Sequence, residues 1–161
     1  MASDYLRRVC ESYQGESYGE NLFRELAKRT NDPEKKYKWH VLECLETETK
    51  KKLLPLVKKL GGDQTELSEN IERGIADAED MATKDWGDLM RSFDKVLPKY
   101  VRFFEKLEAL APIKDRDLLR SVTAHELAIQ EFVTKELEGE SNHSVEAVLN
   151  LLEKPPEKEA Y

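Results

Sequence analysis

Four long segments of this chain carry apolar residues at intervals that alternate between three and four positions, and this spacing limits the fold more than any other feature. Such intervals place one line of side chains, here called the seam, along a single side of an α-helix. The seam positions are Leu6, Val9, Tyr13, Glu16, Glu20, Phe23 and Ala27 in the first segment, Trp39, Leu42, Glu46, Thr49, Leu53, Leu56 and Leu60 in the second, Trp86, Met90, Phe93, Leu97, Tyr100, Phe104, Leu107 and Ala111 in the third, and Leu119, Val122, Glu126, Ile129, Val133 and Glu136 in the fourth. The pattern predicts an all-α fold in which four long helices pack their seams together as a four-helix bundle.

Capping residues and helix breakers predict where these helices begin and end. Ser3 can cap a first helix that runs to about residue 30. Asn31-Asp32-Pro33 supplies a cap and a proline at the start of the second helix, which Gly61-Gly62 ends. The other helices are predicted over residues 65–81, 83–111, 114–137 and 144–153. One bundle domain is thus expected over residues 1–153, followed by a flexible C-terminal tail over residues 154–161.

The lengths of the connections predict the order of the long helices. Short connections make the first and second helices, and likewise the third and fourth, antiparallel neighbours. Between Leu60 and Thr83 lie 22 residues that include a short helix. This segment can travel back along the second helix, which is roughly 42 Å long. An up-down-down-up bundle with a long, partly helical crossover and a short C-terminal helix is therefore predicted, and the alternative is an up-down-up-down bundle with an extra docked helix.

Composition excludes several classes of function. The chain of 161 residues carries a formal net charge of −7, which argues against nucleic acid or an anionic membrane surface as the main partner. No apolar run of about 18 residues is present, so no transmembrane helix is predicted, and the N-terminal segment lacks the apolar region of a signal peptide. Cys10 and Cys44 are too few for a disulfide scaffold. We expect free thiols in a reduced, cytoplasmic protein.

The chemical signal is the position of the acidic residues. The seams hold four central glutamates at positions that otherwise carry apolar side chains: Glu16, Glu20, Glu46 and Glu126. A buried carboxylate without a partner is costly, or its pKa rises until it is neutral, so cations or protons are expected beside these side chains. Antiparallel pairing of the first two helices places Glu16 level with Glu46, and Glu126 lies near the middle of the fourth helix. A buried metal site in a bundle is expected at this level.

A second charged group on the predicted second helix is interpreted differently. His40 and Glu43 are three residues apart on one face, and Lys36 and Lys50 share that face. Because lysines are seldom buried, this row is predicted to face solvent rather than to form a site.

Several stretches of the chain resemble the ferritin-like superfamily, especially its rubrerythrin-type branch. They are Glu16-Ser-Tyr-Gly-Glu20, Asn31-Asp32-Pro33-Glu34, Leu45-Glu46-Thr47-Glu48-Thr49 and Ala124-His125-Glu126-Leu127. The resemblance covers most of residues 3–138 and implies a ferritin-like four-helix bundle. Members with a complete site hold two iron or manganese ions, bound by one Glu from each of two helices and a Glu-x-x-His motif from each of the other two.

Against that motif, the ligand set of this chain is incomplete. Thr49 stands where the histidine after Glu46 is expected, and Ile129 stands where the histidine after Glu126 is expected. The acid expected on the third helix falls among Leu97, Tyr100 and Phe104. His125 could supply a substitute nitrogen ligand, or it could be a core histidine that donates to a neighbouring group.

Two functions follow from the resemblance. The first is a non-catalytic binding or scaffold protein with a depleted carboxylate site, expected as a homodimer because long amphipathic helices often pair. The alternative is an iron- or manganese-binding redox protein that activates oxygen or peroxide or oxidises iron. Its candidate ligands are Glu16, Glu20, Glu46, His125 and Glu126. The missing histidines favour the first function, and the retained acids favour the second.

Overall fold

The computed structural model describes residues 3–158, and every regular element within them is a helix. The long helices are α1 (Asp4–Arg29), α2 (Pro33–Lys59), α4 (Trp86–Leu110) and α5 (Ile113–Glu138), and α3 (Ser68–Met81) lies between α2 and α4. A 3-10 helix (Ser141–His143) and the single turn of α6 (Glu146–Leu149) follow. The all-α prediction is confirmed, whereas the last helix is shorter than the predicted 144–153. None of the helices described is both long and apolar enough to cross a membrane.

Local capping explains the positions of the helix ends. The Ser3 side chain accepts a hydrogen bond from the Leu6 amide at 3.1 Å, and Asp32 accepts from two amides in the first turn of α2. These bonds satisfy donors that have no partner inside the helix. Gly139 ends α5 with a φ of 83°, a left-handed conformation that favours glycine.

Two apolar clusters at opposite ends of the bundle set the direction of the long helices. The first cluster joins the second halves of α1 and α5 to the first halves of α2 and α4. Its aromatic centre consists of Phe23, Trp39, Trp86, Phe93 and Phe132. The second cluster joins the opposite halves through residues that include Val9, Leu53, Leu107 and Val122. The helices α1 and α5 therefore run in one direction, and α2 and α4 run in the other.

The segment between α2 and α4 returns along α1. The Tyr13 hydroxyl donates to the Gln64 carbonyl oxygen at 3.1 Å, and the Tyr18 hydroxyl donates to Asp77 at 2.7 Å. The helix α3 lies so close to α1 that a Cβ atom on Gly74 would be 2.7 Å from the Tyr18 carbonyl oxygen. This crossover covers one side of α1, and two cavities lie between α1 and α4.

The buried face of α4 departs from the predicted seam at Tyr100. The seam predicts Tyr100 in the core, but Tyr100 is 47% exposed and Val101 is 8% exposed. A helical period of 3.6 residues permits a step of either three or four after Leu97, and packing selects the step of four. Pro98 lies inside the helix at this point and removes a backbone hydrogen bond.

The C-terminal segment folds over one end of the bundle through a buried ion pair. The Lys38 ammonium binds the Glu136 carboxylate and donates to the Ser141 carbonyl oxygen at 2.8 Å. Glu136 also accepts hydrogen bonds from Trp86 Nε1 at 2.7 Å and from Ser144 Oγ at 2.6 Å. The side chains of Lys38 and Glu136 are 4% and 2% exposed. We refer to these two residues as the Lys38–Glu136 pair.

The beginning of the predicted tail (154–161), together with Glu153 just before it, contacts the second helix. The backbone amides of Glu153 and Lys154 donate to the Glu48 carboxylate at 2.9 and 3.0 Å. The Pro156 carbonyl oxygen accepts from the Tyr37 hydroxyl at 3.4 Å. The last three residues of the tail, 159–161, lie outside the described residues.

Candidate metal centre

Three glutamates and one histidine meet in the middle of the bundle, between the two apolar clusters. The helix α1 contributes Glu16, α2 contributes Glu46, and α5 contributes His125 and Glu126. Their exposed fractions are 2%, 6%, 1% and 9%, respectively. The sequence predicts these four residues as candidate ligands, and the fold brings them together. We call them the central cluster.

His125 links the members of the central cluster. Its Nδ1 atom lies 2.7 Å from Thr49 Oγ1 and 3.5 Å from Glu16 Oε2. Its Nε2 atom lies 3.3 Å from Glu46 Oε1. One possible ligand atom from each of Glu16, His125 and Glu126 lies within 4.8 Å of the other two. Oxygen, oxygen and nitrogen donors at such separations can surround one metal ion.

Glu16 carries the feature that most needs explanation. Its Oε2 atom is buried and has no hydrogen-bond partner among residues 3–158. Nearly all buried polar atoms in proteins have such a partner, and a carboxylate oxygen without one is costly. A bound cation would relieve this cost.

The central cluster contains three acidic side chains and only one basic side chain. Burial, followed by the negative charge of Glu46 and a hydrogen bond to its carboxyl, raises the pKa of Glu16 well above its ordinary value. Burial raises the pKa of Glu126 to about 7, although His125 opposes this shift. Burial alone would lower the pKa of His125, but the adjacent Glu46 carboxylate outweighs it and the pKa is raised. The cluster therefore favours protons or a metal ion.

Glu20, another predicted ligand, has different partners. It accepts hydrogen bonds from Thr47 Oγ1 at 2.5 Å and from Lys50 Nζ at 2.9 Å, and Arg24 lies 3.2 Å away. Although burial opposes the change, the bonds from Thr47 and Lys50 lower the pKa of Glu20. Its charge is already balanced, so we leave Glu20 out of the proposed ligand set.

The position of Lys50 corrects the prediction of a solvated row on α2. Its side chain is only 14% exposed, and its ammonium binds Glu66 of the crossover at 2.7 Å as well as Glu20. The prediction considers only the residues of α2. It does not include the crossover, which covers Lys50. His40 does contact Glu43, with 3.2 Å between Nδ1 and Oε2.

A cavity of about 300 Å³, here called the inner cavity, separates the central cluster from α4. Glu16, Glu46 and Glu126 border it on one side. The α4 residues that line it include Phe93, Leu97, Tyr100 and Phe104. In the described part of the chain, α4 adds no carboxylate to the group that could hold a metal. The cluster thus opens onto a largely apolar space.

Sequence reasoning missed the contribution of Gly19. A Cβ atom at this position would lie 2.5 Å from the Glu46 carboxylate. Only glycine therefore leaves room for the carboxylate where it lies. The available signal is a glycine inside a helix, which costs about 1 kcal/mol relative to alanine and suggests a packing requirement. Thr49 is a second residue of the site that the sequence did not reveal, because its hydroxyl contacts His125.

Comparisons of the chain with protein families, with curated proteins and with solved structures give no match. The resemblance to the ferritin-like superfamily therefore rests on the stretches of sequence that carry it.

Proposed function

We propose that the protein is a ferritin-like bundle that binds one iron or manganese ion in the central cluster, with Glu16, His125 and Glu126 as ligands. The observation that carries the proposal is the buried Oε2 atom of Glu16, which has no hydrogen-bond donor in residues 3–158. It belongs to a residue whose ligand atoms converge with those of His125 and Glu126. A divalent cation would satisfy this oxygen and balance the excess of carboxylates.

The donor set favours iron or manganese. Carboxylate oxygens suit manganese, and a mixed set of carboxylates and imidazole suits non-haem iron. One ion is proposed rather than two because α4 contributes no acid to the cluster. Thr49 and Ile129 also replace the two histidines of the complete motif.

The arrangement of the helices supports the ferritin-like part of the proposal. The helices α2 and α4 run in the same direction, and the segment between them is long enough to return along the bundle. Ferritin-like folds have one long crossover of this kind.

The residues around the cluster fit the handling of a single ion. In the tautomer that donates Nε2–H to Glu46, 3.3 Å away, the lone pair of His125 Nδ1 is on the side of Thr49 and Glu16. Such a hydrogen bond from a metal-binding histidine to a carboxylate fixes the tautomer and the ring orientation. When bound, iron or manganese supplies one-electron chemistry toward oxygen or peroxide. The apolar walls of the inner cavity would limit the access of water to the cluster.

A second function, a non-catalytic binding or scaffold protein that acts as a homodimer, is favoured by one contact. Thr49 Oγ1 lies 2.7 Å from His125 Nδ1, so the histidine has a partner on each nitrogen without a metal. In this alternative, protons on Glu16 and Glu126 replace the ion.

Metal analysis separates the two functions. The untagged chain is purified after expression in iron-replete and manganese-replete media, and bound metals are quantified by elemental analysis. The metal-binding function predicts about one ion per chain, lost in Glu16→Gln and Glu126→Gln and retained in Glu11→Gln, whose exposed carboxylate pairs with Arg7 on the surface of α1. Metal far below one ion per chain would leave the scaffold function, and stoichiometric metal in both cluster variants would place the ion elsewhere.

A further inference from the structure

A second and larger cavity, here called the outer cavity, lies between α1, the crossover and α4. Its volume is about 750 Å³. Its apolar wall includes Leu6, Cys10, Leu67, Phe103 and Phe104. We propose that the outer cavity binds a long-chain fatty acid, with the acyl chain against this wall and the carboxylate at Lys99 and Arg73. This inference goes beyond the proposed metal site and does not depend on it.

The size and lining of the outer cavity suit a small amphipathic molecule. Ligand cavities in proteins are typically about 300–1,000 Å³ and mostly apolar, with a few polar groups that orient the ligand. The wall is fixed on the crossover side because Gln14 donates to the Thr65 carbonyl oxygen at 2.8 Å and accepts from the Leu67 amide at 3.0 Å. The cavity is therefore a built feature between α1 and the crossover.

Five charged residues line the outer cavity, namely Arg7, Glu11, Asp63, Arg73 and Lys99, and together they carry one excess positive charge. Arg7 is already paired with Asp4 and Glu11, and Asp63 accepts a hydrogen bond from the Thr65 amide at 2.9 Å.

Two cations are left over at the same cavity. Lys99 and Arg73 line it, and neither forms an ion pair with any residue from 3 to 158. The Arg73 guanidinium lies 4.6 Å from the centre of the Tyr18 ring, a contact that leaves its edge N–H groups available. In a chain with a formal net charge of −7, two cations without carboxylate partners beside an apolar wall complement a carboxylate ligand.

The outer and inner cavities adjoin, which gives a long acyl chain room to extend. Gly15, Arg73, Tyr100 and Phe104 line both cavities. A Cβ atom built on Gly15 would meet no atom within 4 Å. A larger side chain at this helical position would therefore occupy the junction without displacing the backbone.

Calorimetric titration of the metal-free full chain with oleate monomers tests the proposal. We expect saturable binding of one oleate per chain, at least about tenfold tighter than binding of oleyl alcohol, because a charged hydrogen-bonding partner is worth about this factor. The absence of saturable binding, or equal affinity for the alcohol, would overturn the proposal.

Variants locate the binding site. Gly15→Leu is expected to weaken oleate binding at least about tenfold by filling the junction, whereas Gly15→Ala leaves it within about twofold. The double variant Lys99→Gln/Arg73→Gln is expected to lower the affinity for oleate by about tenfold or more. Lys95→Gln, at an exposed position of α4, is the matched control. Equal affinity of Gly15→Leu and Gly15→Ala, or of the double variant and Lys95→Gln, would contradict the assignment.

Thiol labelling provides an independent readout that needs no variant. Both cysteines are free and partly exposed, but Cys10 lines the outer cavity and Cys44 does not. Oleate is expected to slow alkylation of Cys10 by iodoacetamide and to leave Cys44 unchanged, as measured peptide by peptide. Unchanged labelling of Cys10 at saturating oleate would overturn the proposal. So would equal protection by phosphatidylglycerol vesicles that contain no free fatty acid, because a membrane surface would then be the ligand.

Discussion

The Lys38–Glu136 pair and the central cluster are both buried polar groups, yet they differ in how their charge is balanced. Glu136 has a lysine, a tryptophan N–H and two serine hydroxyls as donors, and the bonds from Lys38 and Ser144 lower its pKa although burial opposes the change. Glu16 has a buried oxygen without a donor and a raised pKa. A balanced group of the first kind holds elements together, whereas an unbalanced group calls for a ligand or a proton.

The largest change in the free energy of unfolding is expected when the Lys38–Glu136 pair loses its lysine. Lys38→Met leaves the Glu136 charge buried without its cation and should lower the free energy of unfolding by about 3–5 kcal/mol. Urea denaturation at pH 7 measures this loss, and Lys51→Met on the exposed face of α2 is the control. Addition of Glu136→Leu to Lys38→Met should restore only part of the stability, because Trp86 Nε1 and Ser144 Oγ then lose their acceptor. A loss below about 1 kcal/mol would mean that the pair contributes little.

Replacement of a carboxyl group in the central cluster should have the opposite sign. In the metal-free chain at pH 8, Glu16→Gln is expected to raise the free energy of unfolding by about 1–2 kcal/mol, because it removes a buried carboxylate oxygen without a donor. The same denaturation assay measures it, with the exposed Glu11→Gln as control. Destabilisation by Glu16→Gln would show that the carboxylate is satisfied in the folded chain.

The two groups should also respond to pH in opposite directions. The folded pKa of Glu126 is raised to about 7 from about 4.3 in the unfolded chain. The protonated folded form is therefore favoured, and its contribution to the stability of the metal-free chain is full below about pH 4.3 and falls as the pH rises to about 7. The pKa of Glu136 is lowered, so its contribution is present above about pH 4.3 and is lost as the pH falls below that value.

Stability measured from pH 3 to pH 8 tests these signs. Each group contributes a slope of at most about 1.4 kcal/mol per pH unit. Glu126→Gln should reduce the decrease between about pH 4.3 and pH 7, and Glu136→Gln should reduce the loss below about pH 4.3. Identical pH profiles for the two variants would contradict the difference between the groups.

The sequence predicts the central cluster better than it predicts the Lys38–Glu136 pair. Glu16, Glu46 and Glu126 stand out because each replaces an apolar residue in a regular seam. Lys38 does not lie on a seam, and its burial depends on the segment after α5, which no local pattern describes. The side chain of Lys50 is covered by the crossover for a similar reason.

Other features of the fold also differ in whether local sequence predicts them or only packing decides them. The ends of α1 and α2 follow from local signals such as the caps Ser3 and Asp32, so the sequence predicts them closely, whereas α3 and α4 each begin three residues later than predicted. The burial of Tyr100 depends on which of two adjacent residues of α4 faces the core, and only packing decides that. The space that Gly19 leaves for the Glu46 carboxylate likewise becomes visible only when α1 and α2 are placed together.

The smallest change in stability is expected at Gly19. Gly19→Ala should displace the Glu46 carboxylate, which is the flexible end of its side chain, so the free energy of unfolding should change by less than about 1 kcal/mol. Because Glu46 orients His125, metal affinity should fall by about 10- to 100-fold. Competition with a metal chelator measures the affinity, and Gly15→Ala is the control because a Cβ atom there meets nothing within 4 Å. Equal affinity of the two variants would remove Glu46 from the site.

Anomalous diffraction from crystals grown with manganese or iron tests the central claim most directly. Data on both sides of the metal absorption edge should show one peak per chain, roughly 2.0–2.3 Å from atoms of Glu16, His125 and Glu126. The same crystals of Glu16→Gln should show a much weaker peak. A fully ordered cluster with no anomalous density, or a peak only at the protein surface, would contradict the proposed metal centre.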